Sequence, residues 1–354
     1  MDKYKIDSHK LMYHVSRVNQ WLNGEDVYPV YVEIGLNGGC NHKCVFCAFD
    51  YLDKNTDILD ENIAKKLLVE LSKKGIKSVL YSGEGEPLLH DKANEIIAFT
   101  KQNKIDAALS TNGVLLDEVA ANDLLPNLTW IRVSLNAGTK EAYSEIHGTV
   151  PWDLEKVMKN LEYAVKLKKD KNYACTIGVQ FLLLQNNIKE LVPLVKILKN
   201  IGVDYLAIKP YSQHPLSENK MENDISSAEM AILENDLKQY SENRFDVILR
   251  AHAINNIKEE KTYDRCYGLS FITHVAASGN IYPCNTFVGN EQYAYGNIYQ
   301  EGFEEIWAGE KRKNVVNKIS KEFGLKVCRK SCRMDEINRY LWELKNPDSH
   351  TNFI

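Results

Sequence analysis

The chain has 354 residues, a formal net charge of −4 and 44% hydrophobic residues. That length holds one large α/β unit or two ordinary domains with a real core. The weakly acidic balance lacks the basic excess of a nucleic-acid binder, so no nucleic-acid partner is expected.

Residues 1–24 are polar and charged, without the apolar stretch of a signal peptide. A helical segment over about 7–23 precedes the first strand. Strands are predicted near 30–36, 77–82, 105–111, 130–136, 173–183 and 203–210, with helices near 60–74, 90–103, 116–124, 152–168 and 187–201. Strands alternating with helices give a parallel sheet with right-handed crossovers, and six such strands fit a partial (β/α)6 TIM-like barrel. The Lys-rich stretch Lys166 to Lys171 closes an amphipathic pattern and reads as a solvated helix end. Apolar runs such as Phe181 to Leu184 are too short to span a bilayer. A cytoplasmic protein with no membrane partner is expected.

The strands alternate in character. Val32, Ile34 and Leu36 flank Glu33; Ile131, Val133 and Leu135 flank Arg132 and Ser134; Ile177 and Val179 flank Gly178; Leu206 and Ile208 flank Ala207. Successive side chains point to opposite faces, so the apolar set faces the helices and the polar set faces the barrel interior. Closed barrels fill that interior with bulky apolar groups. A polar interior implies a ligand or water there, or buried ion pairs such as Glu33 with Arg132. From about residue 255 the pattern changes. Short strands near 271–277 and 280–284 flank Ser278-Gly279, a hairpin signal, and two helices follow.

Seven of the eight cysteines fall into two groups, and in a large cytosolic chain clustered Cys ligate metal more often than they form disulfides. Cys40, Cys44 and Cys47 sit on one short loop after the first strand, where α/β barrels place their chemistry. Three soft thiolates suit an iron–sulfur cluster with one iron left open; a three-Cys zinc site is the alternative. Cys-x3-Cys-x-aromatic-Cys resembles the signature of radical S-adenosylmethionine (radical SAM) enzymes. The resemblance implies that Cys40, Cys44 and Cys47 hold a 4Fe–4S cluster. It implies that SAM chelates the open iron and is split reductively to a 5′-deoxyadenosyl radical. Phe46 matches the position near the adenine. Ser82-Gly83-Glu84-Gly85-Glu86-Pro87 resembles the Gly-Gly-Glu-Pro motif, with Glu84 where Gly is usual. By that likeness Gly83 lets the backbone approach closely, and Gly85 and Glu86 contact SAM, Glu86 accepting from its amine. Ser110 and Asn112 belong to a Thr-Asn-Gly-like element. Ser134 and Asn136 match ribose and carboxylate contacts, and Gly178 and Gln180 stand at the adenine side. Many relatives carry Asp where Asn136 stands.

The second group is Cys266, Cys284, Cys328 and Cys332. Twelve residues separate Cys266 from Gly279, four separate Gly279 from Cys284, and three separate the last pair. This resembles the twitch domain, a shortened SPASM form, as does Tyr295-Gly296-Asn297-Ile298 followed by Ile306-Trp307. The likeness implies a second, fully ligated 4Fe–4S cluster; a structural four-Cys zinc site is the alternative. The expected divisions are an N-terminal helical segment (1–24), the radical SAM partial barrel (25–255), and a small C-terminal iron–sulfur domain with a terminal helix (256–354).

Cys175 shares the helix-facing parity, so it reads as a structural thiol rather than a hydrogen donor. Lys209 ends the sixth strand and points inward, as a base of lowered pKa or a partner for a carboxylate. Tyr211, His214 and Arg250 are candidate substrate contacts. Tyr340 and Trp342 have core-packing spacing. Only 39 residues precede Cys40, short of a peptide-leader domain. The expectation is therefore a small polar substrate such as a sugar, cyclitol or nucleotide sugar, and an oxidation. Radical epimerisation, peptide modification and a non-catalytic electron carrier are the alternatives. The resemblance also implies an external one-electron reductant of flavodoxin or ferredoxin type.

Overall fold

The computed structural model describes residues 3–52, 56–221, 225, 227–241, 244–250, 253–254 and 260–353. Seven parallel strands follow one another in chain order: β1 (Tyr31–Ile34), β2 (Ser78–Tyr81), β3 (Asp106–Thr111), β4 (Trp130–Ser134), β5 (Thr176–Leu183), β6 (Tyr205–Pro210) and β7 (Asp246–Leu249). Helices α2 (Glu61–Lys73), α3 (Ala93–Gln102), α4 (Glu118–Leu124), α5 (Lys140–His147), α6 (Asp153–Lys171) and α7 (Leu191–Ile201) cross between them; α1 (Val15–Leu22) precedes β1, and α8 (Ser227–Lys238) precedes β7. This is the α/β partial barrel expected, with β7, α5 and α8 added to the predicted elements. All three are short or weakly patterned, which hides them from periodicity. No helix among the described residues is long and apolar enough to cross a membrane.

Local chemistry sets the helix boundaries. Asp60 caps α2 by accepting from the Asn62 and Ile63 amides, and Asp117 caps α4 by accepting from Ala120. Gly148 and Gly202 end α5 and α7 in the left-handed region, and Asn172 does the same for α6. The Lys-rich end of α6 is anchored: the Lys168 ammonium donates to Asp204 at 2.5 Å.

The strand alternation holds in space. Val32, Ile34, Leu36, Ile131, Val133, Leu135, Ile177, Val179, Leu206 and Ile208 are buried in one core shared with the helices, and Cys175 is buried with them. The opposite face is different. Tyr205, Ala207 and Ile248 form a separate small cluster with Tyr4 and Ile6 at the N-terminal ends of the strands. Gly178 makes room there, because a Cβ would meet the Tyr205 ring at 2.0 Å. The N-terminal chain thus stops one end of the barrel interior.

The C-terminal region does not stand apart from the sheet. Strand β8 (Ile272–Val275) pairs in parallel with β1, and β9 (Asn280–Tyr282) and β10 (Gly296–Asn297) extend the same sheet antiparallel. The division expected at 255/256 lies outside the described residues. The N-terminal segment and the terminal helix Asp335–Lys345 share a second core of Leu11, Val18, Val27, Val30, Tyr263, Tyr267, Phe271 and Leu341, against which Tyr340 and Trp342 pack.

Glu33 shows what this arrangement does electrostatically. A pair with Arg132 was one alternative for this carboxylate; the Arg333 guanidinium donates to it instead, at 2.5 Å, and also to the Tyr31 hydroxyl at 2.8 Å. Ser82 donates to the same carboxylate, and His274 of β8 lies 3.9 Å away. The C-terminal segment reaches Glu33 because β8 lies directly beside β1. Burial opposes ionisation of Glu33, but Arg333 and His274 overcome it and hold the carboxyl well below its ordinary range. Burial alone would discharge His274, but the carboxylates of Glu33 and Glu84 beside it raise it to about 9. Removing one partner of a buried pair leaves a charge uncompensated. We expect Glu33→Gln to lower unfolding free energy by roughly 2 kcal/mol, less than the usual cost because Arg333 is about a third exposed. Urea unfolding of the reconstituted protein checks this, and an unchanged midpoint would show that the pair does not hold β1 to the C-terminal segment.

Candidate active site at the carboxyl ends of the strands

The first Cys loop leaves β1 and is held by backbone on two sides. On one side, the Lys43 amide donates to the His147 carbonyl at 3.1 Å and the Val45 amide to Ile146 at 3.0 Å, so the loop lies along the end of α5. Gly148 permits this, because a Cβ there would stand 2.1 Å from the Lys43 carbonyl oxygen. On the other side, the Glu86 amide donates to the Gly39 carbonyl at 2.9 Å. A Cβ on Gly85 would meet that oxygen at 2.2 Å and the Asn37 oxygen at 2.3 Å. Gly83 sits at φ +139°, a backbone state that disfavours side chains. The closest approach in this turn is therefore at Gly85, two residues beyond Gly83.

Glu84, the departure from the common motif, has a definite place. It is buried, accepts from the Ala277 amide at 2.7 Å and lies 3.3 Å from His274 Nε2. It ties the β2 turn to the C-terminal strands. Glu86 is buried too, accepting from Thr111 Oγ1 at 2.7 Å, the Asn112 amide at 2.8 Å and the Leu88 amide at 3.1 Å. Burial raises its pKa, with these three donors opposing. The carboxylate links the β2 turn to the end of β3 beside the Cys loop.

Asn112 Nδ2 donates to Asn41 Oδ1 at 2.6 Å within that loop. Ser110 lies on β3 opposite Arg132, and Ser134 on β4 opposite Gln180 of β5. Asn136 Oδ1 accepts from the Leu182 amide at 2.6 Å, and the Asn136 backbone N–H donates to His147 Nε2 at 3.2 Å. Its side chain braces β4 against β5. Phe46 stands edge-on to His147 at 5.6 Å. Sequence reading missed Tyr143 and His147, which pack behind the loop against His42 of the Cys motif; no motif marks them, and only the Gly148 helix end hints at the place.

Cys40 is the most exposed of the three loop thiols. Burial, with nearby carboxylate and thiol charge, pushes Cys40 up to about 11 and Cys44 well above its ordinary value. The second group gathers from β8's approach, the end of β9 and the segment before the terminal helix. Burial and mutual repulsion push Cys266 to about 12 and Cys284 to about 11. Cys328 and Cys332 share a hydrogen bond that raises the first and lowers the second. Asn338 Nδ2 and the Met334 amide donate to the sulfurs of Cys266 and Cys332. No disulfide joins any cysteine. Two sets of crowded thiols would repel one another as thiolates, and cationic iron relieves that repulsion, so both donor sets fit iron–sulfur clusters.

Lys209, at the end of β6, has no carboxylate partner among the described residues. Burial lowers its pKa well below the usual value, and Arg329, Arg250, Arg132 and Arg333 lower it further. Arg250 pairs with Asp7 at 3.6 Å, and Arg329 donates to the Ser212 carbonyl at 3.0 Å. Tyr211 and His214 follow β6; the His214 ring stacks on Tyr51 at 5.6 Å, and its pKa is lowered to about 4, by burial first and then Arg329.

The Radical SAM superfamily model matches residues 34–198, and the model of the SPASM iron–sulfur cluster-binding domain matches residues 266–333. The tungsten-containing aldehyde ferredoxin oxidoreductase cofactor-modifying protein of Pyrococcus furiosus is 23% identical over 79% of this chain and 81% of its own length. A probable GTP 3',8-cyclase of Methanocaldococcus jannaschii is 27% identical over 72% of this chain and 84% of its own. The crystal structure of Streptococcus suis SuiB bound to S-adenosylmethionine has a TM-score of 0.68 at 16% identity, covering 88% of this chain and 72% of that one. AnSMEcpe with bound AdoMet has a TM-score of 0.60 at 18% identity, covering 90% and 99%. These two likenesses establish the fold.

Anaerobically reconstituted protein should carry about eight irons as two four-iron clusters. Replacing Cys40, Cys44 and Cys47 together with Ala should remove about half of them. Iron analysis and metal spectrometry check this; tightly bound zinc in the C-terminal half would contradict it.

Proposed function

This chain belongs to the radical SAM superfamily, and from that premise we propose that it oxidises a small polar substrate held in its barrel, with Lys209 taking the proton released. When bound, SAM and the two iron–sulfur clusters supply a 5′-deoxyadenosyl radical and an electron acceptor. Cys40, Cys44 and Cys47 would hold the first cluster, and Cys266, Cys284, Cys328 and Cys332 the second. Phe46, Gly85, Glu86, Ser110, Asn112, Ser134, Asn136 and Gln180 would line the SAM site, with Asn136 also holding β4 against β5.

The observation that carries the reading is the character of the barrel interior. Tyr31, Glu33, Arg132, Lys209 and Arg333 meet there in place of a packed apolar core. Such a lining suits a polar substrate that offers hydrogen-bonding groups. Relatives named as GTP cyclases support a small polar molecule in this position. The Tyr4 and Ile6 plug excludes water from one end, which shields a reactive carbon centre from side reactions.

Oxidation is favoured over epimerisation because Cys175, the remaining cysteine, lies in the helix-facing core and cannot reach a substrate in the interior. Lys209 is suited to the proton. Its surroundings favour the neutral amine, which is the form a general base requires. The proposal includes a flavodoxin- or ferredoxin-type reductant and a cytoplasmic location, the compartment in which thiols stay reduced.

The product should be lighter than the substrate by two hydrogens. Lys209→Ala should lose about 10²-fold or more in rate, the scale of a positioned base, with iron content unchanged. In the wild type, kcat/KM should fall as pH drops through the lowered pKa, since protonation removes the base. Cys175→Ala should keep most activity. A product of unchanged mass that gains solvent deuterium at one carbon would establish epimerisation instead.

A further inference from the structure

His147 is the last residue of α5 and is 1% exposed. Its ring is fixed on every side. It stacks on Tyr143 at 4.4 Å and 23°, meets Phe46 edge-on at 5.6 Å, and meets His42 at 5.6 Å. The Asn136 amide donates to Nε2 at 3.2 Å. A backbone N–H can only donate, so Nε2 is an acceptor and the ring proton sits on Nδ1. Nδ1 lies 3.5 Å from Cys44 Sγ, a separation suited to an N–H···S hydrogen bond. The backbone of the same residue accepts from Lys43, so ring and carbonyl hold the Cys loop together.

We propose that His147 is a positioning residue that donates Nδ1–H to Cys44 Sγ and thereby raises the reduction potential of the cluster held by Cys40, Cys44 and Cys47. It rests on the assignment of those cysteines to the cluster. A donor aimed at a ligand sulfur draws charge from it and favours the reduced, more negative state. The fixed tautomer makes the donor permanent, since the Asn136 amide leaves Nε2 no other role. His42, Cys44 and His147 also place three ligand atoms within 4.8 Å of one another. A separate metal there would have to share Cys44 with the cluster and take the Nδ1 position from its proton. The Asn136 contact therefore favours the donor role over ligation.

The test is an EPR-monitored redox titration of the full-length reconstituted protein, following the signal that changes on adding SAM. His147→Leu should lower that midpoint by about 59 mV, a tenfold change in a one-electron equilibrium. His147→Gln, which keeps an N–H donor, should recover most of the shift, and the second cluster's midpoint should not move. Pulsed EPR of the wild type with 15N-histidine adds a readout that does not depend on the Leu variant assembling. We expect a histidine ring nitrogen coupled to the SAM-responsive cluster and lost in His147→Gln, while any coupling from the His42 amide, which donates to Cys40 Sγ at 3.4 Å, persists. An unshifted midpoint in an iron-replete Leu variant, or no histidine ring coupling that depends on His147, overturns the proposal. Metal beyond the two clusters that disappears with His147→Gln overturns it in favour of ligation. If the wild type shows no SAM-responsive signal, the cysteine assignment itself fails, and this inference with it.

Discussion

The site depends on one steric constraint: the first Cys loop lies directly on glycine backbone at two places. Gly85 meets the Gly39 and Asn37 carbonyls, and Gly148 meets the Lys43 carbonyl, at separations no Cβ could tolerate. These contacts fix the loop between the turn after β2 and the end of α5. The amides of Glu86, Lys43 and Val45 then use the proximity to make hydrogen bonds of 2.9, 3.1 and 3.0 Å. Ten residues of loop, with no regular structure of their own, gain a defined path this way. Cys40, Cys44 and Cys47 point where they do because the backbone beneath them has nowhere else to go.

The second determinant is the return of the C-terminal segment to the sheet. With β8 beside β1, Arg333 and His274 reach Glu33, and Glu84 reaches His274 and Ala277. A charge network thus joins the turn after β2, the start of the barrel and the region of the second Cys group. Arg329 and Arg333 flank Cys332 in sequence and contribute to the electrostatics of Lys209. The segment that carries the second cysteine group therefore also shapes the charged interior around Lys209.

Much of this was legible in the sequence. The alternation of Ile131, Val133 and Leu135 with Arg132 and Ser134 foretold both faces of β4, because side-chain direction along a strand is a local property. The parity of Cys175 assigned it to the core for the same reason. The spacing of Cys40, Cys44 and Cys47 and the Gly85-Glu86-Pro87 turn marked the site. What stayed hidden depends on contacts between distant segments. The partner of Glu33 is 300 residues away, and local patterning carries no record of it. The bracing role of Asn136 and the approach of His147 to Cys44 need the relative placement of α5, β4 and β5. Glu84 looked like a deviation until β8 supplied its partners. The short elements β7 and α5 escaped because a strand of four residues and a helix of eight give periodicity little to work with.

The central claim is that this loop, seated on Gly85 and Gly148, belongs to an enzyme that cleaves SAM reductively. Anaerobic protein reduced with dithionite and given SAM tests it most directly, by chromatography of the products. We expect 5′-deoxyadenosine and methionine to appear together in equal amounts. Intact SAM after prolonged incubation of the iron-replete, reduced protein would contradict the claim.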